Sequence, residues 1–319
     1  MLTRLWDSDM KAFCHKPVML DEVIEGLALK DGGIYFDGTV GGGGHSFAIL
    51  SGNQTVRLIA TDKDDEAIAA ASERLKDFKN RFRIYKSDYK DFTKVFDAEN
   101  IGLVDGALLD FGISSHQIDT EERGFSYLKD GAPLDMRMDT QSPLTAEVVV
   151  NEYQESQLKR ILKEYGEERF APIIAANIIK SRNKERIRTC GELRAIVENS
   201  YPARLKGVAC ARQTFQAIRI EVNHELDGLK ECVIELARRL KPHGRICILT
   251  FHSLEDRIVK QAFKQLNEEC VCPKSFPVCV CGKKKELEII TKKPLVASAE
   301  EMITNTRSKC AKLRIAEKI

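Results

Sequence analysis

Over the first third of the chain, short runs of β-branched and aromatic residues alternate with runs of helical period. "IYFD" (Ile34–Asp37) leads into four consecutive glycines and an apolar helix-like run. "RLIATD" (Arg57–Asp62) leads into an amphipathic segment over 64–78, with Ala67, Ile68, Ala71 and Leu75 at helical spacing. "RFRIYKSD" and "VDGALLD" read as two further strands. Strands alternating with helices predict a parallel sheet with right-handed crossovers, open and doubly wound, with its ligand edge outside the carboxyl ends of the strands. The rhythm breaks after Asp110. From about 116 to 221 the signals are helical: 154–165, 167–183, and a helix opened by the capping box Thr189-x-x-Glu192 and running to about Ser200. It then resumes with a helix over 225–240 ending at "KPHG", the buried strand "RICILTF" (245–251) and the helix "LEDRIVKQAFKQL". The fold expected is an α/β, doubly wound, mostly parallel sheet interrupted by an all-helical insert: 1–115 and 222–319 form the sheet domain, 116–221 the insert.

A strand, glycines and a helix N-terminus form an arrangement that suits an anion or a nucleotide, because bare backbone N–H groups point outward. A P-loop is excluded, since no Lys-Ser/Thr follows the glycines, and G-x-G-x-x-G fails because counting from Gly41 and Gly43 lands on Ser46. Asp37 sharpens the choice. A carboxylate at the entrance repels a pyrophosphate but suits S-adenosylmethionine, which carries an ammonium and a sulfonium and no phosphate. Asp62, closing the next strand, is placed to accept both hydroxyls of a ribose, and Asp110 ends the fourth strand on the same edge. Any one of these acids reads equally well as a helix N-cap; three around a glycine loop favour binding.

Composition narrows the class. The chain has 319 residues, 43% hydrophobic and 31% charged, enough for a full core in a soluble globular protein. "MLTRLWDSDMKAF" lacks a signal-peptide stretch and no membrane-length apolar run occurs, so a cytoplasmic protein is expected. With 50 basic against 48 acidic residues, a nucleic-acid partner requires a local patch. The stretch 180–219 is such a patch, with ten Lys/Arg against three Asp/Glu. Among ten cysteines, "CVCPKSFPVCVCG" groups Cys270, Cys272, Cys279 and Cys281 as two Cys-x-Cys pairs. They read either as a structural zinc site, with spacing tighter than the usual zinc knuckle, or as free thiols or a disulfide.

"DGTVGGGGHS", "ALLDFGISSHQID", "ERGFSY", "GAPLDMRMD", "YGEERFA", "TFQAIRIEVNHEL" and "FHSLEDRIVK" resemble, in order and spacing, the bacterial MraW/RsmH family. The likeness extends from about His15 to "KLRIAEK". It implies a class I S-adenosylmethionine methyltransferase acting on N4 of a cytidine in the decoding region of 16S ribosomal RNA. It implies further that Gly43, Gly44 and His45 line the methionine end of the cofactor, that Asp62 holds the ribose, and that Asp110 and Gln117 complete the pocket. Tyr89 would flank the adenine where the family often has Phe, and Gln213 stands where it often has Arg. The helical insert corresponds to the family's substrate domain, and the assembled small subunit is the expected substrate.

Methyl transfer from a sulfonium needs alignment and exclusion of water, and the N4 amine needs a hydrogen-bond acceptor that takes its proton. No Asp/Asn-Pro-Pro-aromatic motif follows the fourth strand, which reads "DFGISS". The acceptor candidates are Asp110 and Asp135, then Asp139, His252 and Ser253; the blander readings pair Asp135 and Asp139 with Arg137 and make "HS" a helix cap. Arg137, Arg212, Phe215 and Arg219 are candidates to hold the flipped nucleotide. The competing functions are a nicotinamide-dependent dehydrogenase and a ribosome-assembly factor that binds RNA without turnover.

Overall fold

A computed structural model of the protein describes residues 17–207, 210–273 and 278–319. The N-terminal segment from which the lack of a signal peptide is read, and His15, lie outside the described residues. The elements in chain order are α1 (Leu20–Leu27), β1 (Ile34–Asp37), α2 (Gly44–Gly52), β2 (Arg57–Asp62), α3 (Asp65–Leu75), β3 (Phe82–Lys86), α4 (Phe92–Ala98) and β4 (Val104–Asp110). The helices α5 (Ser115–Asp119), α6 (Ala146–Glu152), α7 (Glu155–Glu164), α8 (Ala171–Arg182), α9 (Cys190–Ser200) and α10 (Ala211–Asn223) follow. The chain ends with α11 (Leu229–Arg238), β5 (Leu240–Thr250), α12 (Ser253–Asn267), β6 (Leu287–Ile289), β7 (Leu295–Val296), α13 (Ala299–Thr304) and β8 (Lys312–Lys318). They form two compact units, 1–112 with 228–319, and 113–227.

The first unit is built on one sheet of order β3-β2-β1-β4-β5-β8-β6, with β7 also paired to β8. β1 to β5 are parallel, and β8 runs antiparallel to both β5 and β6. Parallel strands covered on both faces read as near-continuous apolar runs; β4 is buried from Val104 to Leu109, with Asp105 near its start paired to Lys241, and emerges at Asp110. Helix α3 starts where the Asp64 carboxylate accepts the Glu66 N–H, has Asp65 and Glu66 in its first turn, and carries Arg74 in its last, in keeping with the helix dipole. The core under the site contains Tyr35, Ile49, Leu50, Leu58, Leu75 and Leu249.

One expectation is corrected here. "KPHG" does not separate a helix from a strand but belongs to β5, which starts at Leu240. The register against β4 jumps from Val104↔Leu240 to Gly106↔Arg245, so the residues between bulge outward, with His243 at φ 60°. Lys241 Nζ anchors the bulge on Asp105 at 2.7 Å.

The second unit is helical, its strand geometry among the described residues limited to an isolated bridge, Pro133↔Thr189. Its core joins Val149, Leu158, Ile161, Ile174, Leu193 and Ile218 from five helices. Along α7, Leu158, Ile161 and Leu162 fall on one buried stripe and the charged residues on the other face. Thr189 and Glu192 close the capping box of α9 reciprocally. Among the described residues no helix is long and apolar enough to cross a membrane.

Candidate functional site

The sheet register brings the three strand-end acids together. Asp37 pairs with Ala60 on β2 and with Leu108 on β4, so each neighbour extends two residues beyond it and ends in Asp62 or Asp110. β2 lies on one side of β1 and β4 on the other, and the strand order reverses between β1 and β4, the switch point at which open α/β sheets bind ligands. The glycine loop leaves β1 from this gap.

The loop is held by the same acids. Asp62 accepts the Gly41 N–H at 2.8 Å through Oδ2 and the Asp64 N–H at 3.0 Å through Oδ1. Asp37 is almost wholly buried and accepts the Ser46 hydroxyl at 2.6 Å and the Thr39 N–H at 3.1 Å. Thr39 Oγ1 in turn accepts the Asp110 N–H at 2.7 Å. Thr39 and Ser46 escaped the sequence reading; a hydroxyl two positions beyond a strand-end Asp is the local signal that marks Thr39. Gly43 caps α2 in the left-handed region at φ 77°, and a Cβ there would lie 3.1 Å from Ala71 Cα. At Gly44 a Cβ would lie 2.4 Å from Pro17 Cγ. The bareness of these two glycines therefore first serves close packing of the loop on α3 and on Pro17.

His45, in the first turn of α2, is 7% exposed, and its Nε2 lies 3.0 Å from the Val18 carbonyl. Burial lowers its pKa to about 4, so the ring is neutral and donates through Nε2, which leaves the Nδ1 lone pair 3.5 Å from Asp110 Oδ2. The Asp110 carboxyl is pushed up to about 8 by burial and by the nearby Asp37 and Glu255 carboxylates. A protonated Asp110 facing that lone pair is the consistent state at neutral pH. Burial also raises Asp37 to about 6, against the lowering effect of the Ser46 bond, and raises Asp62.

Among the described residues, no lysine or arginine forms an ion pair with Asp37, Asp62 or Asp110. The buried Asp37 and the half-buried Asp62 and Asp110 thus lack a counter-charge that a cationic ligand would supply, and a pyrophosphate would make the deficit worse. The donor set fits S-adenosylmethionine and disfavours a nicotinamide dinucleotide. Tyr89, just after β3, packs against Phe111 with ring centroids 5.4 Å apart. Glu255, missed in the sequence, is 2% exposed and accepts the Phe251 and His252 N–H groups at 2.8 and 3.3 Å. His252 reciprocates as N-cap of α12, so "FHSLE" is a capping box with His in the place of Ser.

The other candidates belong to the helical unit. Gln117 is buried and closes a capping box with Ser114 at the start of α5. Asp135 is gripped in a fork by Arg137, at 3.0 Å to Nε and 2.7 Å to Nη2, while Nη1 of Arg137 donates to the Thr140 and Ser142 carbonyls. Asp139 accepts the Gln141 N–H within the same turn. Arg219 makes a two-pronged pair with Glu225 at 2.8 Å on both bonds. Phe215 is 4% exposed in the helical core, edge-on to Tyr127 at 5.8 Å. This corrects its expected role: a buried ring offers no face to a base. The geometry likewise commits Arg137 and Arg219 to bracing the protein. Of the basic stretch, Arg182, Arg186 and Arg194 are also tied to carbonyls or carboxylates, whereas Lys180, Lys184, Arg204 and Arg212 stand exposed.

A parallel sheet of this order with one antiparallel strand near its edge, a glycine loop and three strand-end acids defines a class I S-adenosylmethionine-dependent methyltransferase. The chain belongs to the MraW methylase family, whose model matches residues 12–319. It is 49% identical over 309 residues to ribosomal RNA small subunit methyltransferase H 2 of Agathobacter rectalis, covering 96% of this chain and 98% of the relative. The ribosomal RNA small subunit methyltransferase H proteins of Lachnospira eligens and Carboxydothermus hydrogenoformans are each 50% identical, over 312 and 308 residues, with the same coverage. A structure of a putative methyltransferase from Streptococcus mutans in complex with SAH aligns over 96% of this chain at 11% identity, with a TM-score of 0.40.

Proposed function

We propose that this protein methylates the exocyclic N4 amine of a cytidine in the decoding region of 16S ribosomal RNA, within the assembled small subunit in the cytoplasm. The observation that carries methyl transfer is the set of three strand-end carboxylates around the glycine loop, Asp37 buried and Asp62 and Asp110 half-buried, with no lysine or arginine paired to them among the described residues. RNA as the acceptor rests on the names of relatives about half identical over nearly their whole length, and on the exposed cations of 180–212. The N4 position and the decoding region follow from the family resemblance of "DGTVGGGGHS" through "FHSLEDRIVK".

S-adenosylmethionine, when bound, supplies an electrophilic methyl group on a sulfonium. The chain does the rest. Asp62 holds the ribose diol, Tyr89 flanks the adenine, and Gly43, Gly44, His45 and Asp37 form the methionine end. Asp110 takes the polar role toward N4: a bound cation draws its proton away, and the carboxylate then accepts a hydrogen bond from the amine and receives the proton as the N–C bond forms. Asp135, the other candidate, has both oxygens on Arg137 and lacks that freedom. Lys180, Lys184, Arg204 and Arg212 contact phosphates, fixing position without reading bases.

The test is transfer of labelled methyl to small subunits lacking the modification, followed by nucleoside analysis, with Asp62→Ala and Asp110→Ala alongside. N4-methylcytidine that disappears in both variants is expected. Subunit binding without methyl transfer, by protein shown to bind the cofactor, would sink the reading.

A further inference from the structure

The connection from α12 to β6, residues 268–286, has no regular secondary structure among its described residues. Loops beyond ~12–15 residues without elements of their own are uncommon in compact domains, and the described valines of this one do not order it by burial: Val271, Val278 and Val280 are 59%, 69% and 73% exposed. What does converge is sulfur. The Sγ atoms of Cys270, Cys272, Cys279 and Cys281 all lie within 4.8 Å of one another. Cys270 Sγ is 3.4 Å from that of Cys279 and 3.8 Å from that of Cys281, and Cys279 and Cys281 are 3.5 Å apart.

Those separations distinguish the alternatives. A disulfide needs S–S of ~2.0 Å and draws its pair away from the other sulfurs, whereas a tetrahedron of ~2.3 Å zinc–sulfur bonds has edges of about 3.8 Å. The backbone turns inward as well. The N–H of Val271 points at Cys281 Sγ at 3.5 Å, that of Cys272 at Cys270 Sγ at 3.3 Å, and that of Val280 at Cys272 Sγ at 3.4 Å. Such N–H···S bonds spread the charge of thiolates and orient them, as partners around metal ligands do. Lys283, which follows the last cysteine, pairs with Glu268 at 3.8 Å across the base of the loop and adds positive charge beside a tetrathiolate site.

We propose that Cys270, Cys272, Cys279 and Cys281 bind one Zn²⁺ as a closed structural site that staples the α12–β6 connection. All four positions are filled by protein sulfur, so the ion has no open site for substrate and takes no part in methyl transfer. Zinc is preferred to iron because it binds the same S₄ tetrahedron without redox change.

The full chain, purified under reducing conditions from zinc-replete cells, is expected to carry one zinc per chain by elemental analysis. Replacement with Co²⁺ should give the intense sulfur-to-metal charge-transfer absorption of a tetrathiolate. Cys272→Ser and Cys279→Ser should lose the metal, and Cys310→Ser, at an exposed thiol outside the cluster, should keep it. Limited proteolysis supplies a second readout: cleavage within 268–286 is slow in the metal-loaded protein and fast after chelation. Metal-free protein with four freely alkylated thiols in this segment, a mass lower by the hydrogens of two disulfides, or stoichiometric iron in place of zinc would each overturn the proposal.

Discussion

At the level of single residues the site is a set of groups held away from their ordinary charge states, and the signs predict how it responds to pH. Asp110, raised to about 8, keeps in the folded state a proton that the unfolded chain has released. Its contribution to stability is therefore present below the unfolded value of ~3.9 and lost as pH rises toward 8. Asp37, raised to about 6, acts in the same sense. His45 acts oppositely: lowered to about 4, it stays neutral where the unfolded ring takes a proton, so its contribution is present above ~6.5 and lost as pH falls through the folded value. A cationic ligand reverses the state of Asp110. Binding of S-adenosylmethionine at pH 7 should therefore release about one proton, with affinity rising as pH rises toward 8 and then levelling. Calorimetry in two buffers of different ionisation enthalpy measures that proton directly. Asp110→Asn should remove most of the release and weaken binding; proton uptake by the unmodified protein would contradict the assignment.

Elements decide which sequence signals are readable. β2 and β4 were legible to the residue, because a buried parallel strand ending in a single acid has few competing readings. The three acids and the glycine loop were legible for the same reason. β5 was misread at its start because Pro242 and Gly244, ordinary stop signals, serve here in a bulge braced by Lys241 and Asp105. The antiparallel β8 was not foreseen, and neither were its partners β6 and β7, since strands of two or three residues carry no period. In the helical unit the sequence showed charge but not its use: the pairing of Arg186 with Glu147 and Glu152 joins residues distant in sequence, and that of Arg219 with Glu225 depends on the left-handed turn at His224 that ends α10. This separates two kinds of α8–α10 variant. Phe215→Ala removes a buried ring and should cost about 3–5 kcal/mol in stability, seen as a lowered denaturation midpoint. Joint replacement of Lys180, Lys184, Arg204 and Arg212 by Ala should leave that midpoint nearly unchanged, surface changes being typically within ~0.5 kcal/mol each. It should weaken subunit binding and flatten its salt dependence by roughly 0.7–0.9 log units per lost phosphate contact. Unchanged salt dependence would remove these residues from the RNA interface. Gly43→Ala tests the loop: with φ at 77° and Ala71 Cα 3.1 Å from the new carbon, a loss of ~1–2 kcal/mol and weaker cofactor binding are expected in thermal and binding assays.

At the scale of the whole molecule, the chain divides into two units that each contain a core of their own. The helical unit is continuous, 113–227, and its core residues all come from that span. Ion pairs and hydrogen bonds within it include Asp135 with Arg137, Tyr153 and Arg160 with Glu221, and Arg219 with Glu225. The sheet unit is discontinuous, 1–112 with 228–319, and needs both pieces because β5 and β8 complete the sheet on the flank of β4. The consequence is asymmetric. Residues 113–227 expressed alone should fold, since nothing in their core is borrowed, and should show a helical circular dichroism spectrum with one cooperative thermal transition. That fragment should not bind S-adenosylmethionine, because Asp37, Asp62 and Asp110 all lie in the sheet unit. Residues 1–112 alone should fail, as β4 would expose along its length the edge that β5 covers. A helical fragment that melts without cooperativity would show that its stability depends on the sheet unit, and the insert would then be part of one folding unit despite its separate core.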